Sequence, residues 1–271
     1  MFAGVPDQSA EDAWWTTSVR MEYWHVKGVA FSGSSADIAK CFDQVVRPLL
    51  YAIALIAGMP SVVLSPYIRY MEATKVHNTI GKGIGIGYTR RCGIPQGCPL
   101  SMMLIALLLR PWTVAMETLG AKPRILADDL LILTHGIHHR QLMQNAIDTT
   151  HELLQDMGAK VAPAKSFIFS NNGAARRWYQ HHTWKHIGGK IPTVKHCRDL
   201  GGTINTTAKQ HGSVINSRIT NALTILRKFR FLPHDASTKA HFIQSKVLAG
   251  AMYGIECIEP CGAHMHKLQT P

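Results

Sequence analysis

Three carboxylates stand where a carboxylate needs a reason. Asp37 lies near the end of Val29–Ile38, a run with small residues in its middle that reads as a strand. Asp128 and Asp129 sit between two short runs, Arg124–Ala127 and Leu130–Leu133, the pattern of a buried hairpin with acids at its turn. Acidic groups brought together repel, and burying them without a counter-charge is costly. They are expected either to be solvated or to hold a hard cation, and Mg²⁺ accepts one or two carboxylates together with phosphate oxygens.

The elements that must position these acids follow from periodicity and punctuation. Glu11–Val26 reads as a helix ending at Gly28. Pro48 suits the first turn of a helix that runs to Ala57, with Gly58 as its left-handed stop. Ser101 is expected to cap the next helix, which Pro111 should kink or shorten. Leu142, Met143, Ala146, Ile147, Leu153, Leu154 and Met157 recur at helical spacing before Gly158, and Val161 and Phe167–Phe169 suggest a further strand. This order fits an α+β fold of split βαβ type, an antiparallel sheet with helices packed on one face. Beyond a soft boundary near residue 195, helices are expected over Ser217–Arg230, burying Ile219, Ala222, Leu223 and Leu226, and over Ser237–Tyr253, which stops at Gly254.

Charge is divided unevenly. Residues 1–159 hold 13 Lys+Arg and 13 Asp+Glu, whereas residues 160–271 hold 16 and 4, so the net charge of +12 belongs to the last 112 residues. A polyanion such as nucleic acid is one natural partner for that segment, and a solubilising surface is the other reading. The six cysteines include no C-x-x-C pair, and nothing resembles a secretory signal, which points to a reducing intracellular compartment. The apolar runs Tyr51–Leu64 and Leu100–Leu109 are shorter than the ~20 residues of a spanning helix, so no membrane partner is expected.

The motifs around the acids resemble those of reverse transcriptases. Ala36-Asp37-Ile38-Ala39-Lys40-Cys41-Phe42-Asp43 resembles motif A, Gly93-Ile94-Pro95-Gln96-Gly97-Cys98-Pro99-Leu100-Ser101 resembles motif B, and Leu126-Ala127-Asp128-Asp129 resembles motif C, in family order. Gly158 to Lys165 with Phe167 is similar to motif D, and Asp199-Leu200-Gly201 to motif E, the primer grip. The Pro-Gln-Gly-Cys-Pro-Leu-Ser and Ala-Asp-Asp forms are most similar to non-LTR retrotransposon enzymes, with group II intron maturases as neighbours. The likeness covers roughly residues 10–255. It implies a polymerase palm over 1–195, then a primer grip and basic helical thumb over 196–271.

What the resemblance implies chemically is RNA-directed DNA polymerisation, with an RNA template, a DNA primer and dNTPs as partners. Asp37 and Asp128 would hold two Mg²⁺ ions, or Mn²⁺, with the Ile38 carbonyl completing the shell and Asp129 in support. Phe42 stands where the family places a steric gate against the ribose 2′-hydroxyl, though a core Phe is the plain alternative. Gln96 and Gly97 would lie beside the incoming nucleotide, and Lys165 would neutralise or protonate the leaving pyrophosphate unless it is a solvated surface lysine. Leu200 and Gly201 would form the primer grip. Lys40 and Asp43 read as a structural ion pair or cap. A nuclear address follows from the resemblance only.

Other features weigh less. Gly81–Gly87 lacks the G-x-x-x-x-G-K-[ST] arrangement and reads as a flexible hairpin rather than a phosphate loop. Cys257, Cys261, His264 and His266 have poor zinc spacing, and His138-His139 and His181-His182 read as solvated. Only 36 residues precede Asp37, too few for a family fingers region, so a fragment or a decayed copy is expected. The rival functions are therefore a catalytically silent nucleic-acid-binding remnant and a maturase-like splicing cofactor.

Overall fold

The computed structural model describes residues 7–95, 97–162, 165–207, 213–229 and 231–255, with 262 and 266. Helix α1, Ala10–Val26, is opened by a reciprocal cap in which Ser9 Oγ accepts from the Asp12 amide and the Asp12 carboxylate accepts from the Ser9 amide. Strand β1, Phe31–Asp37, follows, then α2, Cys41–Gln44, α3, Arg47–Ile56, and α4, Ser61–Ala73. Four two-residue strands make two small antiparallel ladders: β2, Lys75–Val76, with β5, Tyr88–Thr89, and β3, Thr79–Ile80, with β4, Gly83–Ile84. The glycine-rich run is thus a hairpin, as its composition suggested.

Helix α5 spans Ser101–Thr118, the hairpin strands β6 and β7 span Lys122–Leu126 and Asp129–His135, and α6 spans His139–Asp156. Then come β8, Phe167–Ser170, α7, Gly173–His181, and β9, Thr193–Val194. Pro111 neither ends nor shortens α5, which runs 18 residues through it. Seven residues of that helix are buried, and their packing outweighs the one lost backbone bond. Ser101 is the first helical residue rather than the cap, and the cap position, Leu100, makes no side-chain bond.

The main sheet runs β6-β7-β1-β8-β9, antiparallel except for β8 with β9. Its two faces alternate strictly. Ala36, Leu130, Ile132 and Ile168 enter the larger core with α3, α5 and α6, where Leu50, Leu104, Trp112 and Ile147 are buried. Phe31, Leu131, Leu133 and Phe169 point the other way and are covered by Met21 and Trp24 of α1 and by Ile204. Helices therefore reach both faces, with most of them on one.

Beyond the sheet, β10, His196–Asp199, and β11, Gly202–Asn205, form a hairpin. Helix α8, Ser213–Phe229, buries Ile215, Ile219 and Ala222, while Leu223 is only half-buried. The last helix is composite: α9, Ala236–Phe242, a π-helical segment, Ile243–Leu248, and α10, Ala249–Met252. Asp235 caps it by accepting from the Thr238 amide, and Gly254 at φ 76° ends it. Ala222, Val247 and Ala251 form its small core against α8.

Candidate active site

The β-sheet register brings motifs A and C together. Asp37 at the end of β1 lies directly opposite Asp129 at the start of β7, and Asp128 is the adjoining turn residue. Opposed antiparallel Cα atoms lie ~4.5–5.5 Å apart and successive ones 3.8 Å, which keeps the Cα atoms of the three acids within about 9 Å of one another. The hairpin turns over only Ala127 and Asp128, because Leu126 already pairs with Asp129. That tight turn puts Ala127 at φ 55°. Lys40 in motif A, at φ 50°, and Leu200 in motif E, at φ 44°, share this costly left-handed region.

Motif B reaches the same place by backbone bonds. Gly93 N–H donates to Val45 O at 2.8 Å and Ile94 N–H to Phe42 O at 2.7 Å. Gly93 is needed there: its φ is +84°, and a Cβ would come 2.8 Å from Asp43 O. Arg47, nearly fully buried, staples the surroundings by donating to Gly93 O at 3.0 Å and to Met71 O and Arg90 O at 2.8 Å. The result is a cleft of ≈ 320 Å³ lined by Lys40, Phe42, Ile94, Gly97, Ser101 and Asp128, among others.

The electrostatics match a cluster of acids. Burial first, then the neighbouring Asp128 and Asp199 charges, raises the Asp129 carboxyl above the usual range, with Asp37 adding to this and Arg124 opposing it. The Cys41 thiol is pushed up to about 12, mostly by burial and further by Asp128 and Asp37. Among the described residues no three His, Cys, Asp or Glu side chains converge as a ready-made metal cage. Two carboxylates with room for phosphate oxygens beside them are what Mg²⁺ sites of substrate-completed type require, so the donor set fits that ion.

Three of the site residues singled out by sequence line this cleft, and the others stand beside it or elsewhere. Phe42, Gly97 and Asp128 line the cleft. Lys165 is largely exposed, with Nζ 3.5 Å from Asp37 Oδ2. Ile38 buries its side chain in the larger core and bridges Val161. Leu200 and Gly201, at φ 44° and 87°, are the two turn residues of the β10–β11 hairpin. Gln96 and the cysteine positions Cys257 and Cys261, with His264, lie outside the described residues.

Some expectations need correction. The ion pair near motif A is Asp43 with Arg90 at 3.1 Å, not with Lys40. His139 is not solvated: it is buried, and its Nδ1 lies 2.8 Å from Ser32 Oγ, which also accepts from the Tyr179 hydroxyl at 3.0 Å. His182 is half-buried and stacks on Trp178 at 4.1 Å. Sequence reading missed Ser101 as a cleft residue, Arg47 as a staple, and a buried pair of Arg124 with Asp199. Only Arg124 left a signal, as a charge inside an apolar strand pattern.

Comparison with known proteins bears on the family and the fold. The profile described as "Reverse transcriptase (RNA-dependent DNA polymerase)" matches residues 7–231, and the chain belongs to that family. No curated protein matches the sequence. Among solved structures, telomerase from Candida tropicalis in complex with a TWJ fragment of telomeric RNA superposes with a TM-score of 0.55 at 11% identity, covering 94% of this chain and 42% of that one. Apo telomerase from the same organism gives 0.53 at 16% identity, covering 89% and 40%. Its form truncated from the C-terminal domain gives 0.52 at 16%, covering 73% and 39%. At such identities the likeness concerns the fold, and the chain spans about two fifths of those proteins' length. Among the described residues no helix is long and apolar enough to cross a membrane.

Proposed function

We propose that this chain carries the palm, over 1–195, and the primer grip and thumb, over 196–271, of an RNA-directed DNA polymerase of retrotransposon type. The observation that carries this reading is the register of Asp37 against Asp129, with Asp128 beside them at the edge of the motif B cleft. In the reaction, a primer 3′-oxygen attacks the α-phosphorus of a dNTP, the new phosphodiester forms, the α–β bond breaks, and pyrophosphate leaves. Two divalent ions held by Asp37, Asp128 and the Ile38 carbonyl would supply Lewis-acid activation of the hydroxyl and neutralise the leaving group. Asp129 supports the other two acids by keeping the field negative.

The remaining roles fall to the chain's own groups. Phe42 occupies the wall where a sugar would stand and excludes a 2′-hydroxyl by volume. Gly97 lets backbone approach the nucleotide, with Gln96 as its neighbour in sequence. Lys165, close to Asp37, offers a proton or a charge to the departing pyrophosphate. The Leu200-Gly201 turn presents backbone to the primer, and the basic helical segment follows the duplex by phosphate contacts.

Primer extension tests the proposal. The protein with a DNA primer on an RNA template, dNTPs and Mg²⁺ should elongate the primer, and Asp128→Asn should lose at least a hundredfold in rate. If both proteins are inert yet bind duplex with steep salt dependence, the chain is a silent nucleic-acid-binding remnant.

A further inference from the structure

Arg124 and Asp199 form the only ion pair among the described residues in which both side chains are buried. The contact is bidentate, with Nη1 donating to Oδ2 at 2.6 Å and Nη2 to Oδ1 at 2.7 Å. Nη1 also donates to Thr17 Oγ1 of α1 at 3.1 Å, and that hydroxyl in turn donates to Ala13 O at 2.8 Å. Three elements that are distant in sequence are thereby tied at one point.

The location gives the pair its meaning. Arg124 lies on β6 opposite Leu131, two residues before Leu126, which pairs with Asp129. Residues two apart on a strand share a face, so Arg124 projects on the same side of the sheet as Asp37 and Asp129. Asp199 is the last residue of β10, adjoining the Leu200-Gly201 turn. The strand pair that carries the acids and the hairpin that carries the turn are thus joined by one two-pronged contact.

Other contacts also hold the hairpin, among them Ile204, which is buried with Phe31, Leu131 and Leu133 of the sheet. Trp14 of α1 packs against Gly202, where a Cβ would come to 1.9 Å from the indole. From the thumb side the Tyr253 hydroxyl donates to Leu200 O at 3.0 Å, and Arg218 donates to Tyr253 O at 2.6 Å. The single hydroxyl–carbonyl bond fixes one distance and the apolar contacts resist separation, whereas a bidentate guanidinium–carboxylate pair fixes both distance and angle. A buried pair is also a poor device for stability alone, since apolar residues of similar volume often serve as well or better.

We propose that the Arg124–Asp199 pair is a positioning latch that sets where the Leu200-Gly201 turn stands relative to Asp37 and Asp128. Its consequence for placing a primer 3′-end rests on the polymerase reading above. Neither residue touches the reacting atoms: Arg124 acts through Asp199, and Asp199 through the turn.

Two variants separate positioning from stability. The double variant Arg124→Met, Asp199→Leu removes both charges and keeps the volume buried. Arg124→Lys keeps the charge and loses the two-pronged geometry. Hydrogen exchange on the protein alone should show residues 196–205 exchanging about tenfold faster in both variants, with β1 and β7 amides unchanged and the melting temperature of the double variant no lower than wild type. In single-nucleotide extension, kcat should fall by about tenfold or more while the KM for dNTP stays within about twofold, the pattern of a misplaced nucleophile. Wild-type exchange at 196–205 in both variants, or loosened exchange with undiminished kcat, would overturn the latch. If wild type itself extends nothing, the polymerase reading fails instead, and the exchange measurement alone decides whether the pair positions the hairpin.

Discussion

Replacing Asp128 by Asn should stabilise the metal-free protein while destroying its activity. Asp128 and Asp129 adjoin, Asp37 lies across the ladder from Asp129, and the Asp129 carboxyl is raised by burial first and by neighbouring charges next. Two like charges ~6 Å apart at an effective dielectric of ~20 repel by roughly 3 kcal/mol. The acids are half-buried at a cleft open to solvent, and salt screening brings this down to about 1–2 kcal/mol. For a chain of this size that corresponds to a melting temperature about 2–6 °C above wild type in chelator. Adding Mg²⁺ to ~100 times its dissociation constant should stabilise wild type by about 2.7 kcal/mol and the variant by much less, reversing their order. Acid provides a second check. Because the folded-state value of Asp129 is raised, its charged form is the destabilising one, and that penalty is relieved as pH falls through the raised value toward the ordinary 3.8. The advantage of Asp128→Asn should therefore shrink on acidification. Thermal melting in EDTA and in Mg²⁺ across pH 4–8 makes the measurement. A variant that melts at or below wild type in EDTA, or that gains as much from Mg²⁺, would show that the three acids do not share one field.

Further outcomes are expected elsewhere in the chain. Phe42 lines the cleft, and if it is the proposed steric gate, Phe42→Ala should raise ribonucleotide use relative to deoxynucleotide by about tenfold or more, read as the ratio of kcat/KM values. Gly33→Ala should destabilise by about 1–3 kcal/mol, because a Cβ there would lie 2.1 Å from the Phe169 ring, and Phe169→Leu in the same chain should restore part of the loss in urea unfolding. Burial lowers the His139 imidazole below its ordinary 6.5, so the unfolded chain binds the proton first and stability falls as pH drops below about 6.5. His139→Gln should flatten that part of the stability–pH curve measured by thermal melting, and an unchanged slope would place the titration on His135 or His151, which are lowered likewise.

What sequence made legible was the local and the periodic. The acids, the hairpin around them, the helix ended by Gly158 and the glycine-rich ladder all follow from patterns within about twenty residues, where burial periodicity and turn chemistry act directly. Pro111 marks where that logic stops: a helix-breaking residue by local rules sits inside an 18-residue helix because Leu108, Leu109, Trp112, Thr113 and Met116 around it are buried by distant elements. The burial of His139 escapes the sequence for a related reason, since the Ser32 hydroxyl beside its Nδ1 lies 107 residues before it. Arg47 and Arg124 are the sharpest cases. Arg47 bonds backbone carbonyls and Arg124 bonds Asp199 and Thr17, all far along the chain, and neither partner set has any sequence spacing to betray it. These two arginines nonetheless join segments that the motifs leave far apart in sequence. Arg47 ties the start of motif B beside motif A, and Arg124 ties the hairpin of motif E beside motif C. The chemistry-bearing residues are thus announced by local pattern, while the contacts that bring them into register are long-range and become visible only in three dimensions.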